Sequence, residues 1–370
     1  MKQDTSKERV GIKQIAGALG ISIGTVDRAL HGRGEVSAAT RDRVLKMARK
    51  LSYSPNVAAR NLKLNRHFRI GVFLPEQIAL FFGPLKAGIQ AAAHAGVGAT
   101  VEVSFHSFPH LCEGDVEALE ANNWRQFDGI ILAPGNPSRL GAICRAAEHE
   151  GKPLVYVATD AARTNRLSSV AVESAISGGI AAELLGIVVP SPRPVIVITG
   201  DLKIQDHAEK LRGFAASLAT LAPHLSMLPV VESHESANAA HRAALALLRK
   251  CPDLGGIYVN TANSMPVIRA LEESAKLGKV KVIATDLFPE MAVLIESGQV
   301  FATLHQRPFT QGRMAFEVLS SYLVSGICPK REIRLSPHIV LRSNLSLFLD
   351  ADGSEPQESQ RAGVKQARKS

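Results

Sequence analysis

The chain is short of several things. Aromatic residues make up only 5% of it, with a single Trp, so aliphatic side chains must fill whatever core it has. Hydrophobic residues reach 46%, which is ample for that purpose. No stretch approaches the ~18–20 consecutive apolar residues that a membrane-spanning helix needs. The N-terminal run MKQDTSKERV has no apolar segment of the secretory kind, so a cytoplasmic location is expected. Cys112, Cys144, Cys251 and Cys328 are scattered, and no two stand at metal-ligand spacing, so reduced thiols and no metal are expected. His106 and His110 are four apart, but Pro109 between them argues against a helical pair of ligands. No P-loop or H-E-x-x-H pattern occurs, so neither an enzyme nor a cofactor is expected.

Charge, by contrast, is present and concentrated. Of the net +9, residues 1–69 carry 15 Lys/Arg against 5 Asp/Glu, residues 70–350 carry 24 against 26, and residues 351–370 carry 4 against 3. A basic head on a near-neutral body implies a polyanion as the head's partner.

The head has helical periodicity. Ile12, Ile15, Ala16 and Leu19 recur on one face, and Gly20 follows as a stop. Ser22 can cap a second helix, Ile23 to Leu30, after a turn short enough for a helix-turn-helix. A third helix starts at Ser37, with Val44, Leu45, Ala48 and Leu51 as its apolar face. In such a unit the second helix enters the major groove. Its outward residues are Ile23, Gly24 and Thr25, with Arg28 one turn on. Arg28 suits a bidentate contact to guanine, with a phosphate contact as the competing role, and Ile23 suits a thymine methyl. Gly24 costs ~1 kcal/mol of helix propensity against Ala, a cost compatible with close approach of backbone to DNA.

Residues 54 to 63, SPNVAARNLK, can form a short helix capped by Ser54 and Pro55, or serve as an ordinary linker. As a helix it would place Leu62 as an apolar wedge in a minor-groove step and Lys63 on phosphate.

The run from I-S-I-G-T-V-D-R-A-L-H through R-V-L-K-M-A-R-K-L-S-Y-S-P-N-V-A-A-R-N-L-K closely resembles the head and hinge of LacI/GalR-type repressors over residues 11 to 63. The resemblance implies that Ser22, Ile23, Gly24, Thr25 and Arg28 face DNA and that Leu62, with Lys63, is the minor-groove leucine segment. Asp27 departs from the pattern, where many members have Ser.

Beyond Arg69 the pattern changes to short apolar runs separated by amphipathic stretches. Strands are expected at Ile70–Leu74, Val101–Phe105, Gly129–Leu132, Leu154–Val157, Val195–Thr199, Gly256–Val259, Val282–Ala284 and Phe301–Leu304. Helices are expected at Leu85–Ala95, Ala175–Val188, Ala208–Leu221 and Asn238–Leu248. Such repeats give parallel sheets covered by helices, and their number favours two lobes. Ligands of these folds bind beyond the C-terminal strand ends. The residues there are Phe81 and Phe82, expected in a loop, then Asp160, Asn260 with Thr261, Asp286 and Gln306. Rings, carboxylates and amides together suit a hydroxyl-rich ligand.

The segments R-I-G-V-F-L-P, T-D-A-A, G-D-L-K-I-Q-D-H-A-E-K-L-R-G-F, I-Y-V-N-T, I-A-T-D and A-T-L-H-Q-R-P-F-T-Q-G resemble the sugar-binding, periplasmic-binding-protein-like domain of the same family, in its ribose-binding-like branch. That resemblance implies a ligand cleft containing Phe82, Asp160, Asn260, Asp286 and Gln306, with His207 or Lys210 as a charged contact. Ala133 stands where ribose-type binders often have Asn, and Val172-Glu173-Ser174 replaces Ser-Asp-Asn. These departures count against a ribose pocket and leave another sugar, a polyol or a sugar derivative.

The expected architecture is therefore an all-α helix-turn-helix head (1–53), a hinge and linker (54–68), an α/β two-lobed body with parallel sheets (69–348) and a disordered polar tail (349–370). The expected function is a DNA-binding transcription regulator controlled by a small effector. Its expected partners are a double-stranded operator, a sugar or polyol and a second copy of itself, and no membrane. A transport-type solute receptor and a sugar-acting enzyme are the competing readings.

Overall fold

The computed structural model describes residues 11–31, 36–51, 66–95, 101–111, 113–135, 137–161, 164–190 and 192–349. The chain divides into two compact units, Met1–Leu64 and Asn65–Ser370. Leu62 and Lys63 lie outside the described residues, as do most of the expected hinge and the tail beyond Leu349.

The head consists of α1 (Ile12–Leu19), α2 (Ile23–His31) and α3 (Ala38–Lys50). Gly20 ends α1 in the left-handed conformation, φ 64°, and its N–H reaches back to the carbonyls of Ala16 and Gly17. Ser22 then caps α2, its Oγ accepting the Thr25 N–H at 3.0 Å. Ser37 caps α3 in the same way from Thr40. Ile15, Ala16, Val26, Ala29, Val44 and Ala48 form the core, with Met47 and Leu51 packed against it.

The second unit is two lobes, each a parallel sheet covered on both faces. Its strands are β1 (Phe68–Pro75), β2 (Val101–Phe108), β3 (Gly129–Leu132), β4 (Leu154–Val157), β5 (Ser168–Val172), β6 (Pro194–Thr199), β7 (Ser226–Met227), β8 (Val231–Glu232), β9 (Gly256–Val259), β10 (Lys281–Thr285), β11 (Ala302–His305), β12 (Glu332–Leu335) and β13 (His338–Val340). The first sheet runs β12-β5-β4-β3-β1-β2, and the second runs β13-β11-β10-β9-β6-β7, with β8 also on β6. Only the β11–β13 pairing is antiparallel among the described strands. Because both faces are covered, β3, β4 and β9 are buried throughout and read as unbroken apolar runs. Alternate residues serve opposite faces: Ile131 joins one core cluster of the first lobe, Ile130 and Leu132 the other.

The chain passes between lobes three times. It leaves the first lobe after β5, returns through the helix Pro308–Ser325, and crosses again between β12 and β13. In each lobe two helices approach through glycine. A Cβ on Gly88 would lie 2.0 Å from the Phe309 carbonyl oxygen, and one on Gly178 would lie 1.9 Å from that of Lys210. Side chains there would force the helices apart, so these glycines set the distance at which the helices stack.

The structure corrects one local expectation. Phe81 and Phe82 are not in a loop but in the first turn of the helix Ala79–His94, which runs through Pro84. Pro84 is the sixth residue of this helix, past the first turn, so the helix runs on without the bond that an N–H there would make to the Leu80 carbonyl. The sequence pattern does not announce β5, β7, β8, β12 and β13; most are short, and β12 and β13 are only partly buried.

Candidate functional site

In the head, the exposed side of α2 carries Ser22, Ile23, Gly24 and Arg28, while Val26 and Ala29 turn inward and Thr25 is half-buried. Ile23 is 49% exposed, an unusual position for so apolar a side chain unless it meets a partner. The Ser22 cap and the Gly20 turn hold the start of α2 at the surface, where its N-terminal residues stand clear of the core.

In the second unit a cleft of about 370 Å³, part of it open to solvent, lies between strand ends and helix starts. Its apolar wall includes Phe81 and Phe82, whose rings meet edge to face with centroids 5.0 Å apart. Thr159, Asp206, His207, Thr261 and Gln306 supply its polar surface. Of the sequence-predicted residues, Phe81, Phe82, His207, Thr261 and Gln306 line the cleft, whereas Asp160, Lys210, Asn260 and Asp286 are buried beside it and are not part of its lining. Positive backbone φ recurs around it, at Ile78 (60°), Asp286 (66°) and Arg307 (62°). For a β-branched residue such as Ile78 this conformation is strained, and strain of this kind clusters at functional sites.

The residues behind the cleft hold those in front. Asp286 accepts the Gln306 backbone N–H at 2.8 Å on Oδ1 and its side-chain Nε2 at 2.6 Å on Oδ2. The Gln306 Oε1 in turn accepts from the Lys210 Nζ at 2.6 Å. Lys210 also meets Asp206 Oδ2 at 2.6 Å, and Asp206 Oδ1 accepts from Ser174. The chain Asp286–Gln306–Lys210–Asp206–Ser174 is thus a continuous buried polar network fixing two cleft residues. Asn260 donates from Nδ2 to the His207 carbonyl at 3.2 Å, which steadies the helix start that carries the imidazole.

Asp160 differs. Its Oδ1 accepts the Ala161 N–H, and its Oδ2 is shared by Arg166, Arg334 and Ser169. Four donors already converge on this carboxylate, and the residue is 4% exposed. A carboxylate at a strand end is as useful for tying two cationic side chains as for gripping a ligand. Sequence order could not tell these apart, because Arg334 comes from β12, 174 positions away.

Sequence reasoning missed Asp206, Thr159 and Glu235. The N–H of Asp206 donates to Thr159 Oγ1 at 3.2 Å, joining the lobes across the cleft. Glu235 follows β8, a strand of two residues and too short to show a period; the strand-end rule applied to V-E-S-H-E would have reached it. Asp201, Glu232 and His234 also place ligand-type atoms within 4.8 Å of one another. Two of these carboxylates already accept backbone N–H groups, from Lys203 and Leu202. Burial by itself would push the Asp201 carboxyl up, but the Lys203 N–H and the His234 ring outweigh that and hold it below its ordinary value.

Comparison with known proteins sorts the two units separately. Residues 70–326 match the periplasmic binding protein domain, and residues 11–56 match the lacI family of bacterial regulatory proteins. The chain is similar to the catabolite control protein A of Priestia megaterium, 26% identical over 227 residues, covering 61% of this chain and 64% of that one. It is similar to the HTH-type transcriptional regulator RafR of Escherichia coli, 33% identical over 130 residues, covering 34% of this chain and 37% of that one. A longer match is to the ribose operon repressor of Bacillus subtilis (strain 168), 24% identical over 314 residues and covering 83% and 90%. Among solved structures, a solute-binding protein from Agrobacterium vitis bound with α-D-tagatopyranose superimposes with a TM-score of 0.69 at 22% identity, over 75% of this chain and 96% of that one. The glucose-galactose binding protein GanP of Geobacillus stearothermophilus gives 0.68 at 22%, over 76% and 100%. At that identity the structural likeness establishes the fold. No helix among the described residues is long and apolar enough to cross a membrane.

Proposed function

The chain belongs to the periplasmic binding protein domain family through residues 70–326 and carries a lacI-family head at 11–56; from that premise we propose that it is a DNA-binding transcription regulator, a repressor, whose operator affinity is set by a small hydroxyl-rich molecule. The observation that carries this is the joining in one chain of an α2 with exposed Ile23, Gly24 and Arg28 to a two-lobed body with a cleft at its strand ends. Relatives named as ribose and sucrose operon repressors support a sugar or polyol as effector. We assign Phe82, His207 and Gln306 to direct contact with it. Asn260 and Asp286 are the groups that position them, and Asp160 has a structural part. Leu62 and Lys63 are assigned to DNA on the family resemblance alone.

The protein acts as a homodimer in the cytoplasm. One head reads few base pairs, and two reading half-sites supply the rest. The effector shifts DNA affinity only through unequal binding to two lobe arrangements. The lobes have the three connections about which such arrangements can differ. No catalytic step is assigned, since hydrogen bonding alone accounts for the cleft's carboxylates and amides.

The test is fluorescence anisotropy of the full chain on duplexes selected from a random pool. Binding that falls steeply with salt and is lost on removing residues 1–63 is the expected result. Equal binding without those residues would sink the regulator reading.

A further inference from the structure

The strongest feature that the regulator reading leaves unused is Glu235. Its side chain is 2% exposed, and neither carboxyl oxygen has a hydrogen-bond partner. The nearest charge-bearing group is His207, whose Nε2 lies 3.7 Å from Oε1 and whose ring lines the cleft. Glu235 also sits where the lobes meet. Its backbone carbonyl accepts from Asn263 Nδ2 of its own lobe at 3.0 Å and from Gln77 Nε2 of the other lobe at 3.4 Å. The carboxylate packs so closely on Gly200 that a Cβ there would lie 1.8 Å from Oε1. A second acceptor nearby is also unfilled: Asn260 Oδ1 is buried without a partner, although its amide nitrogen is used by the His207 carbonyl.

A buried carboxyl group without hydrogen-bond partners is costly. The buried or half-buried cations of this unit named above do not relieve it. Lys210 is held by Asp206, while Arg166 and Arg334 are held by Asp160. Directly behind the cleft's His207, unfilled buried acceptors are thus gathered, although neither Glu235 nor Asn260 is itself a lining residue. A ligand completes this set by bringing O–H or N–H groups, whereas a phosphate or carboxylate group brings further acceptors and no donors.

We propose that Glu235, with His207 beside it, is the specificity-determining end of the effector cleft. It takes a neutral or amino-bearing polyhydroxy compound through that compound's donors, and it rejects phosphorylated and carboxylated sugars. The inference rests on the cleft being an effector site, and it adds the charge class of the effector and the residue that selects it.

The experiment is thermal denaturation and calorimetric titration of the full chain with two sets of probes. The first set is xylitol, D-glucitol, D-ribose, D-glucose and D-glucosamine; the second is the phosphate monoesters of ribose and glucose, and gluconate. At least one member of the first set raises the melting temperature and none of the second does. Glu235→Gln weakens binding of the responding probe by about tenfold or more. Without any probe, Glu235→Gln melts at the same temperature or higher, because no hydrogen bond to the carboxyl group is lost. A silent first set, binding of any anion, or unchanged affinity in Glu235→Gln overturns the proposal. So does a lower melting temperature of the ligand-free variant, which would mean that the carboxylate already has a protein partner. Failure of the full chain to bind DNA would remove the regulator reading and leave these outcomes untouched, since they read the small molecule alone.

Discussion

Asp206 and Lys210 lie one turn apart on the helix Gln205–Leu221, with Oδ2 2.6 Å from Nζ and both side chains buried. The ammonium bridges on to Gln306, so this pair links the start of one helix to a cleft residue from β11's end. Removing one partner strands the other charge in the interior. Lys210→Met is expected to cost about 3–5 kcal/mol of stability, and Asp206→Asn a similar amount. The double variant is expected to lose less than the two summed. Urea unfolding of the four proteins, read as a cycle, checks this; additive losses would mean that the pair does not act as a unit.

Helix spacing offers a second prediction. Gly178 has the carbonyl oxygen of Lys210 where its Cβ would go, at 1.9 Å, whereas a Cβ on Gly17 of α1 meets nothing within 4 Å. Gly178→Ala is therefore expected to destabilise the body by roughly 1–3 kcal/mol or more, since backbone cannot step aside as a side chain can. Gly17→Ala is expected to stabilise the head by about 0.5–1 kcal/mol, through helix propensity. Melting curves of the two variants should move in opposite directions.

On the DNA side, Arg28 is exposed on α2 next to exposed Ile23 and Gly24. If its guanidinium reads guanine, Arg28→Ala reduces discrimination between the selected duplex and a scrambled one by about 1–3 kcal/mol. If it holds phosphate, affinity drops equally for both duplexes and the salt slope becomes shallower by about one. Anisotropy titrations on both duplexes at several salt concentrations separate these outcomes.

A fourth prediction concerns thiols. Cys144 is buried, its Sγ 3.0 Å from the Tyr156 hydroxyl, and burial pushes its thiol above the ordinary value. Cys328 is exposed. An aromatic disulfide reagent at neutral pH is expected to titrate Cys328 at once and Cys144 only on unfolding, because the thiolate is the reacting form. Equal rates at the two positions would contradict the burial.

Asp286→Asn tests the support behind the cleft. Asn tolerates the left-handed backbone that Asp286 adopts, φ 66°, so the fold is expected to survive. The amide no longer accepts from both the Gln306 backbone and its side chain as the carboxylate does. Effector response is expected to weaken sharply, with a stability loss of about 1–3 kcal/mol from the Gln306 donor left unpaired. A normal response would show that Gln306 needs no such anchor.

Local pattern was enough for a good deal of this protein. The Gly20 stop, the Ser22 cap and the Ile15–Val26–Val44 core follow from spacing within a few turns of helix, which neighbouring residues decide among themselves. The strands Gly129–Leu132, Leu154–Val157 and Gly256–Val259 were legible because burial on both faces leaves an unbroken apolar run. Strand ends likewise marked where a cleft would form. What each strand-end residue does there was decided only in three dimensions. Asp160 is claimed by Arg334 from β12, Asp286 turns to Gln306, and Glu235 is left without a donor, because hydrogen-bond partners come from chain segments that only the closed sheets bring together. Periodicity reports which side of an element faces inward; it carries no information about which distant group is waiting there.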